Sequence, residues 1–125
     1  MRIVGFETLQ VWQKTRELSV FVYKETKSFS SEEKFGLISQ MRRAVISISS
    51  YIAEGRSRHS YNDKARFPEI AYSSALESLN QAMLSNNLGF LSKEKYLLIR
   101  KSISKITLML DGLFKFQIKM SRFNF

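Results

Sequence analysis

The chain has 125 residues, no cysteine, one proline, five glycines, 44% hydrophobic residues and a formal net charge of +9. Its length is enough to bury a core without disulfides or metals, and the missing cysteines exclude a disulfide scaffold and a thiolate metal site. So apolar and turn-poor a composition is too hydrophobic for disorder and too short of punctuation for a many-stranded β fold, which leaves helices.

The first periodic run covers 7–27, with Leu9, Trp12, Leu18, Phe21, Val22 and Val11 as its apolar stripe. Ser30 and Glu33 then have the spacing of a capping box, predicting a second helix over 31–55. Its stripe is Ile38, Met41, Val45, Ile48 and Ile52. Gly36 is an internal weak point costing about 1 kcal/mol against alanine, and Gly55 is the expected left-handed stop. A polar, arginine-rich connector follows, with Ser60, Asn62 and Asp63 as candidate caps of a third helix over 62–88. Phe67, Ile70, Leu76, Leu79, Met83, Leu84 and Leu88 form its expected buried stripe, with Gly89 as its stop. Pro68 either lies in the first turn or bends the helix. Ser92 caps the fourth helix, 92–119, and Leu91 with Tyr96 has the spacing of a hydrophobic staple. Ile99, Ile103, Ile106, Leu110 and Leu113 supply its seam, and 120–125 reads as a loose tail. Short links force neighbours antiparallel, so the expected fold is a single all-α domain over 1–125, an up-down-up-down four-helix bundle.

Charge is uneven along the chain. Residues 1–41 carry +1, 42–66 carry +4, 67–92 carry −2 and 93–125 carry +6. Two basic blocks of this kind attract polyanions in a salt-dependent way, or serve as solvated surface or as a contact for an acidic protein. The candidate nucleic-acid contacts are Arg42, Arg43, Arg56, Arg58, Lys64 and Arg66, expected to gather near the second connector and the helix leading to it, with Tyr51, Tyr61 and Phe67 interleaved as stacking planes. Arg100, Lys101 and Lys105 give the last helix a basic outer face, reinforced by Lys93, Lys95, Lys115, Lys119 and Arg122.

Glu54, Glu77 and Gln81 are the polar residues to watch on the apolar seams. A buried structural layer, with Glu54 or Glu77 meeting Arg42, Arg43 or an amide, is one reading; a general acid–base pair is another, and contact between subunits a third. His59 is the only histidine, the acids do not fall in a metal-ligand spacing, and there is no glycine-rich phosphate loop. The expectation is a protein that is not an enzyme, with no catalytic residue, metal or cofactor. The opening MRIVGFETLQVWQK lacks the apolar run and cleavage site of a secretory signal, so a cytoplasmic protein with no membrane span is expected.

Residues 47–81, SISSYIAEGRSRHSYNDKARFPEIAYSSALESLNQ, resemble the central signature of the bacterial four-helix-bundle proteins first noticed as products of intervening sequences in large-subunit ribosomal RNA genes. The resemblance extends through FETLQVWQKTRELSVFVYKET (6–26) and EEKFGLISQMRRAVISI (32–48), while the fourth helix matches in pattern alone. Tyr51, Ser30, Ser73, Pro68 and Leu79 depart from that pattern. The resemblance implies a small bundle assembled into a ring of five. It also points to a related group of accessory proteins of diversity-generating retroelements, which bind a reverse transcriptase and nucleic acid. A homo-oligomer binding RNA or RNA–DNA, with a reverse transcriptase as a further partner, is therefore the expectation, with an adaptor ring that recruits a protein as the alternative.

Overall fold

Leu18, Val22, Met41, Val45, Ile48, Ile52, Ile99, Ile103, Ile106 and Leu110 recur at helical spacing, and in the computed structural model all ten are buried in one core. The structure describes residues 5–123. Four long helices carry this core: α1 (Gln10–Thr26), α2 (Ser39–Arg56), α4 (Arg66–Asn87) and α5 (Lys93–Phe123), with a one-turn helix α3 (Tyr61–Lys64) between α2 and α4. There is no strand among the described residues, and the chain is an all-α four-helix bundle. Contacts between chain neighbours fix its direction. Arg42 at the start of α2 bonds Thr26 at the end of α1, Met41 meets Ser85 at the end of α4, and Tyr61 beside the start of α4 meets Phe116 near the end of α5. The topology is therefore up-down-up-down. Lys95 closes the ring of helices by pairing with Glu25 of α1 at 3.5 Å.

Start and stop signals act differently at several points from the sequence expectation. A 3-10 turn, Gly5–Thr8, precedes α1. Ser30 does cap, but it accepts from the Glu32 amide at 3.3 Å, and the Glu33 carboxylate reaches forward to the Leu37 amide at 3.1 Å, not back to Ser30. The reason is Gly36, whose φ of −102° and ψ of −107° leave the helical range. The segment from Ser31 to Ile38 is a 3-10 turn followed by a π turn, so regular α2 starts at Ser39 and not at 31.

Gly55 is not the stop. It is a buried helical residue whose missing side chain lets Phe67 approach: a Cβ there would sit 2.8 Å from the Phe67 Cβ. Gly89 does end α4 with φ +84°, and the Ser85 carbonyl takes the amides of Phe90 and Leu91. Ser60 and Ser92 cap as expected, accepting from the amides of Asp63 and Lys95 at 3.1 and 3.2 Å. Pro68 lies in the first turn of α4, where its missing N–H leaves no helical bond unmade. Helix α5 continues through Phe123, where a loose tail was expected from 120; Asn124 and Phe125 lie outside the described residues.

The largest difference concerns the rotation of α4. Of the expected stripe, Phe67 and Leu79 are half-buried but Ile70, Leu76, Met83, Leu84 and Leu88 are exposed, and Ala71, Ser74, Ala75, Ser78, Ala82 and Ser85 face the core in their place. The bulk is supplied from both sides, by Met41, Val45, Ile48 and Ile52 of α2 and by the isoleucine seam of α5, so the helix between them fits closest with small side chains. Burying the serines costs little, because Ser78 and Ser85 donate to the carbonyls of Ser74 and Gln81 one turn back, at 3.0 and 2.7 Å. Two flanks of large apolar residues remain on α4, Ile70–Leu84–Leu88 on one side of the small face and Tyr72–Leu76–Met83 on the other.

Candidate nucleic-acid interface

The basic residues of α2 divide between its two ends. Fourteen residues separate Arg42 from Arg56, about 21 Å of helix at 1.5 Å per residue, so the single cluster expected from the sequence is two. At the connector end, Arg56, Arg58 and Arg66 are exposed and Lys64 half-buried. The Arg58 guanidinium lies over the Phe67 ring, 4.9 Å from its centre, and the Lys64 ammonium 5.0 Å from that of Tyr61. Arg58 and Arg66 border a recess of about 250 Å³ floored by Phe67 and Ile70, with Asp63 its one carboxylate.

At the opposite end Arg42 is held in place: its Nε donates to Thr26 Oγ1 at 3.0 Å, its Nη2 to the Tyr23 carbonyl at 3.3 Å, and its guanidinium lies 4.6 Å from the Tyr23 ring centre. Thr26 can accept because its own hydroxyl proton goes to the Val22 carbonyl, 2.7 Å away. Arg43 is exposed beside it.

On α5, Lys101 and Lys105 are exposed, and exposed Arg100 donates to the Tyr96 hydroxyl at 2.7 Å. Leu97, Leu98, Leu108 and Phe116 are exposed on the same helix, so its outer face mixes cations with apolar side chains. The ion pairs Lys14–Glu17, Lys95–Glu25 and Lys115–Asp111 engage none of the nine candidate cations.

The polar seam is only partly realised. Gln81 is buried and donates to Glu77 Oε1 at 3.3 Å, so Glu77 does meet an amide, but the Glu77 residue is exposed. Glu54 is exposed near the end of α2, three to four turns from Arg42 and Arg43. The two carboxylates do not share a buried layer. Gln81 Oε1 and Gln117 Oε1 are buried acceptors without a hydrogen-bond donor among the described residues. Among the described residues no group of three or more histidine or acidic side chains comes together in a metal-binding arrangement, and no helix is long and apolar enough to cross a membrane.

The aromatic planes named from sequence are already covered. Phe67 lies under Arg58 and against Gly55, Tyr61 meets Lys64 and the Phe116 ring, and Tyr51 packs on the core. Phe35, absent from the sequence-based set, is 88% exposed. Its signal was present in the sequence, since position 35 stands about 100° off the stripe through Met41, Val45, Ile48 and Ile52 on a helical wheel, where a large apolar residue has no core to enter.

A crystal structure of a protein of unknown function from the S23 ribosomal protein family of Bacteroides thetaiotaomicron VPI-5482 is similar in fold, with a TM-score of 0.75 and 24% identity over 84% of this chain and 98% of that one. No match is found among curated protein sequences. The profile of the 23S rRNA-intervening sequence proteins matches residues 7–112, which takes in α1 through most of α5, and the chain belongs to that family.

Proposed function

We propose that the chain is a non-enzymatic, cytoplasmic bundle that assembles with copies of itself and binds RNA or RNA–DNA through phosphates. The observation that carries this reading is the set of Arg43, Arg56, Arg58, Arg66, Arg100, Lys101 and Lys105, all exposed and none engaged by the ion pairs above. Cations spread over a rigid helical surface capture phosphates with little reading of base edges. Assembly would repeat each patch once per subunit, so modest contacts add by avidity. The exposed flanks of α4 support assembly, because large apolar side chains grouped on one helix are commonly covered by a partner. The family resemblance gives five as the expected copy number, which native mass measurement checks.

The test is titration of labelled RNA at increasing salt. Affinity should fall steeply, and each cation removed should lower the slope of log affinity on log salt by about 0.7 for a single strand. Charge reversal at Arg56, Arg58, Lys101 and Lys105 should weaken binding while the helical circular dichroism and melting temperature persist. No binding at low salt, or affinity indifferent to salt, overturns the reading. The apolar flanks also favour a second reading, an adaptor that recruits a protein such as a reverse transcriptase; co-purification of that protein after nuclease treatment would support it.

A further inference from the structure

The sharp change of course at Gly36 leaves Phe35 projecting beside the basic end of α2. A shallow groove of about 520 Å³, within the size range of small-ligand clefts, runs between that ring and the N-terminal turns of α2. Lys34, Arg42 and Arg43 border it, Tyr23, Ile38 and Ile46 give it apolar surface, and among the described residues no carboxylate lines it. The nearest acid in sequence, Glu33, has its carboxylate on the Leu37 amide at 3.1 Å. Arg42 is fixed by Thr26 and Tyr23, so one cation of the groove is ordered before any ligand arrives. Lys34 lies 5.5 Å from the Phe35 ring centre.

We propose that this groove is a single-strand site, in which an unpaired base stacks on Phe35 while its flanking phosphates meet Arg43 and Lys34. The inference rests on the reading of the chain as a nucleic-acid binder and adds to it a place and a preference for unpaired strands. Three features select a nucleotide over an acidic protein segment. The ring is open, where an amphipathic helix needs a deep apolar channel. The Arg42 guanidinium, 4.6 Å from the Tyr23 ring centre, lines the same groove as Phe35, so the groove offers more than one planar group to a base. Lys34 and Arg43 border the same groove as the Phe35 ring, and base-on-aromatic stacking with phosphate-to-arginine contact is the common chemistry of single-strand binding. A duplex keeps its bases inside and offers the ring nothing to stack on.

The experiment compares binding of a labelled twelve-nucleotide oligouridine with a twelve-base-pair RNA duplex, by fluorescence anisotropy at fixed salt, to the full chain and to its Phe35→Ala, Phe35→Tyr and Arg43→Glu variants. Phe35→Ala should weaken the single strand by about 5- to 150-fold, the range expected for one stacked base, and leave the duplex within twofold. Its salt slope should stay unchanged because no charge is lost, and Phe35→Tyr should restore affinity. Arg43→Glu should weaken both ligands. Ultraviolet crosslinking of 5-iodouridine RNA should attach at Phe35. If the wild-type chain binds single strands in a salt-dependent manner but Phe35→Ala and the crosslink show no effect, the groove site is overturned and phosphate capture stands. If the wild-type chain binds neither RNA, both readings fail. Preferential binding of an acidic, aromatic peptide at Phe35 would assign the groove to a protein and overturn this inference.

Discussion

Replacing Gly55 with alanine sets two effects of known size against each other. Alanine in a helix interior is worth about 1 kcal/mol over glycine. The new methyl would lie 2.8 Å from the Phe67 Cβ and 3.3 Å from its Cγ, closer than carbon atoms pack. Its neighbour is the stem of a side chain on α4, not a flexible tip, so α2 and α4 must separate to make room. Overpacking of this kind costs about 1–3 kcal/mol, and the upper half of that range applies where backbone has to move. The net expectation is a loss of about 1–2 kcal/mol, or roughly 4–8 °C in melting temperature for a chain of this size. Gly112→Ala is the control, because that helical glycine has nothing within 4 Å of its missing Cβ and should gain about 0.5–1 kcal/mol. Thermal and urea unfolding followed by circular dichroism measures both. A Gly55→Ala protein as stable as Gly112→Ala would refute the claim that Gly55 is there for close packing.

The rotation of α4 is tested by exchanging size between neighbours: Ala75→Leu, at a fully buried position, should cost about 3 kcal/mol, while Leu76→Ala, at a half-exposed one, should cost about 1 kcal/mol or less in the monomer and show instead as a weakened oligomer in sedimentation. Gln117→Met removes a buried acceptor that has no donor, keeps the volume, and should raise stability by about 1 kcal/mol in urea unfolding. Thr26→Val keeps the shape of the core but takes the acceptor from Arg42 Nε, and should cost about 1 kcal/mol while lowering single-strand affinity through a loosened guanidinium.

Regular periodicity made α1, α2 and α5 legible, because each places β-branched or leucine side chains at three- and four-residue steps against one core. Rotation of α4 was not legible from hydropathy. Its large apolar residues flank a face of alanine and serine, and which of the two turns inward depends on how much bulk α2 and α5 bring, a property of three helices together. Gly55 and Gly36 misled for a related reason. A glycine marks either a turn or a close approach, and the partner at Gly55, Phe67, is twelve residues away on the next long helix. In the sequence Arg42 and Arg56 stand within one short stretch that runs into the connector. A helix turns that stretch into a rod that holds them far apart.

That rod also sets a length for the ligand. Arg42 and Arg56 differ by about 40° around α2, so they share one side, and Ile46, Ser49 and Ala53 fall between them with no acid on that strip. The roughly 21 Å between the two ends corresponds to about six phosphates at the 3.4 Å spacing of one stacked strand. A strand seated in the groove by Phe35 therefore has to reach about six nucleotides before it meets the cations at Arg56 and Arg58. Affinity for oligouridines of two to ten nucleotides should climb slowly at first and rise again near six or seven, and charge reversal at Arg56 and Arg58 should abolish the second rise while leaving the first. Binding that is complete with a trinucleotide, or a second rise that survives the charge reversal, would show that the two ends of α2 do not act on one strand.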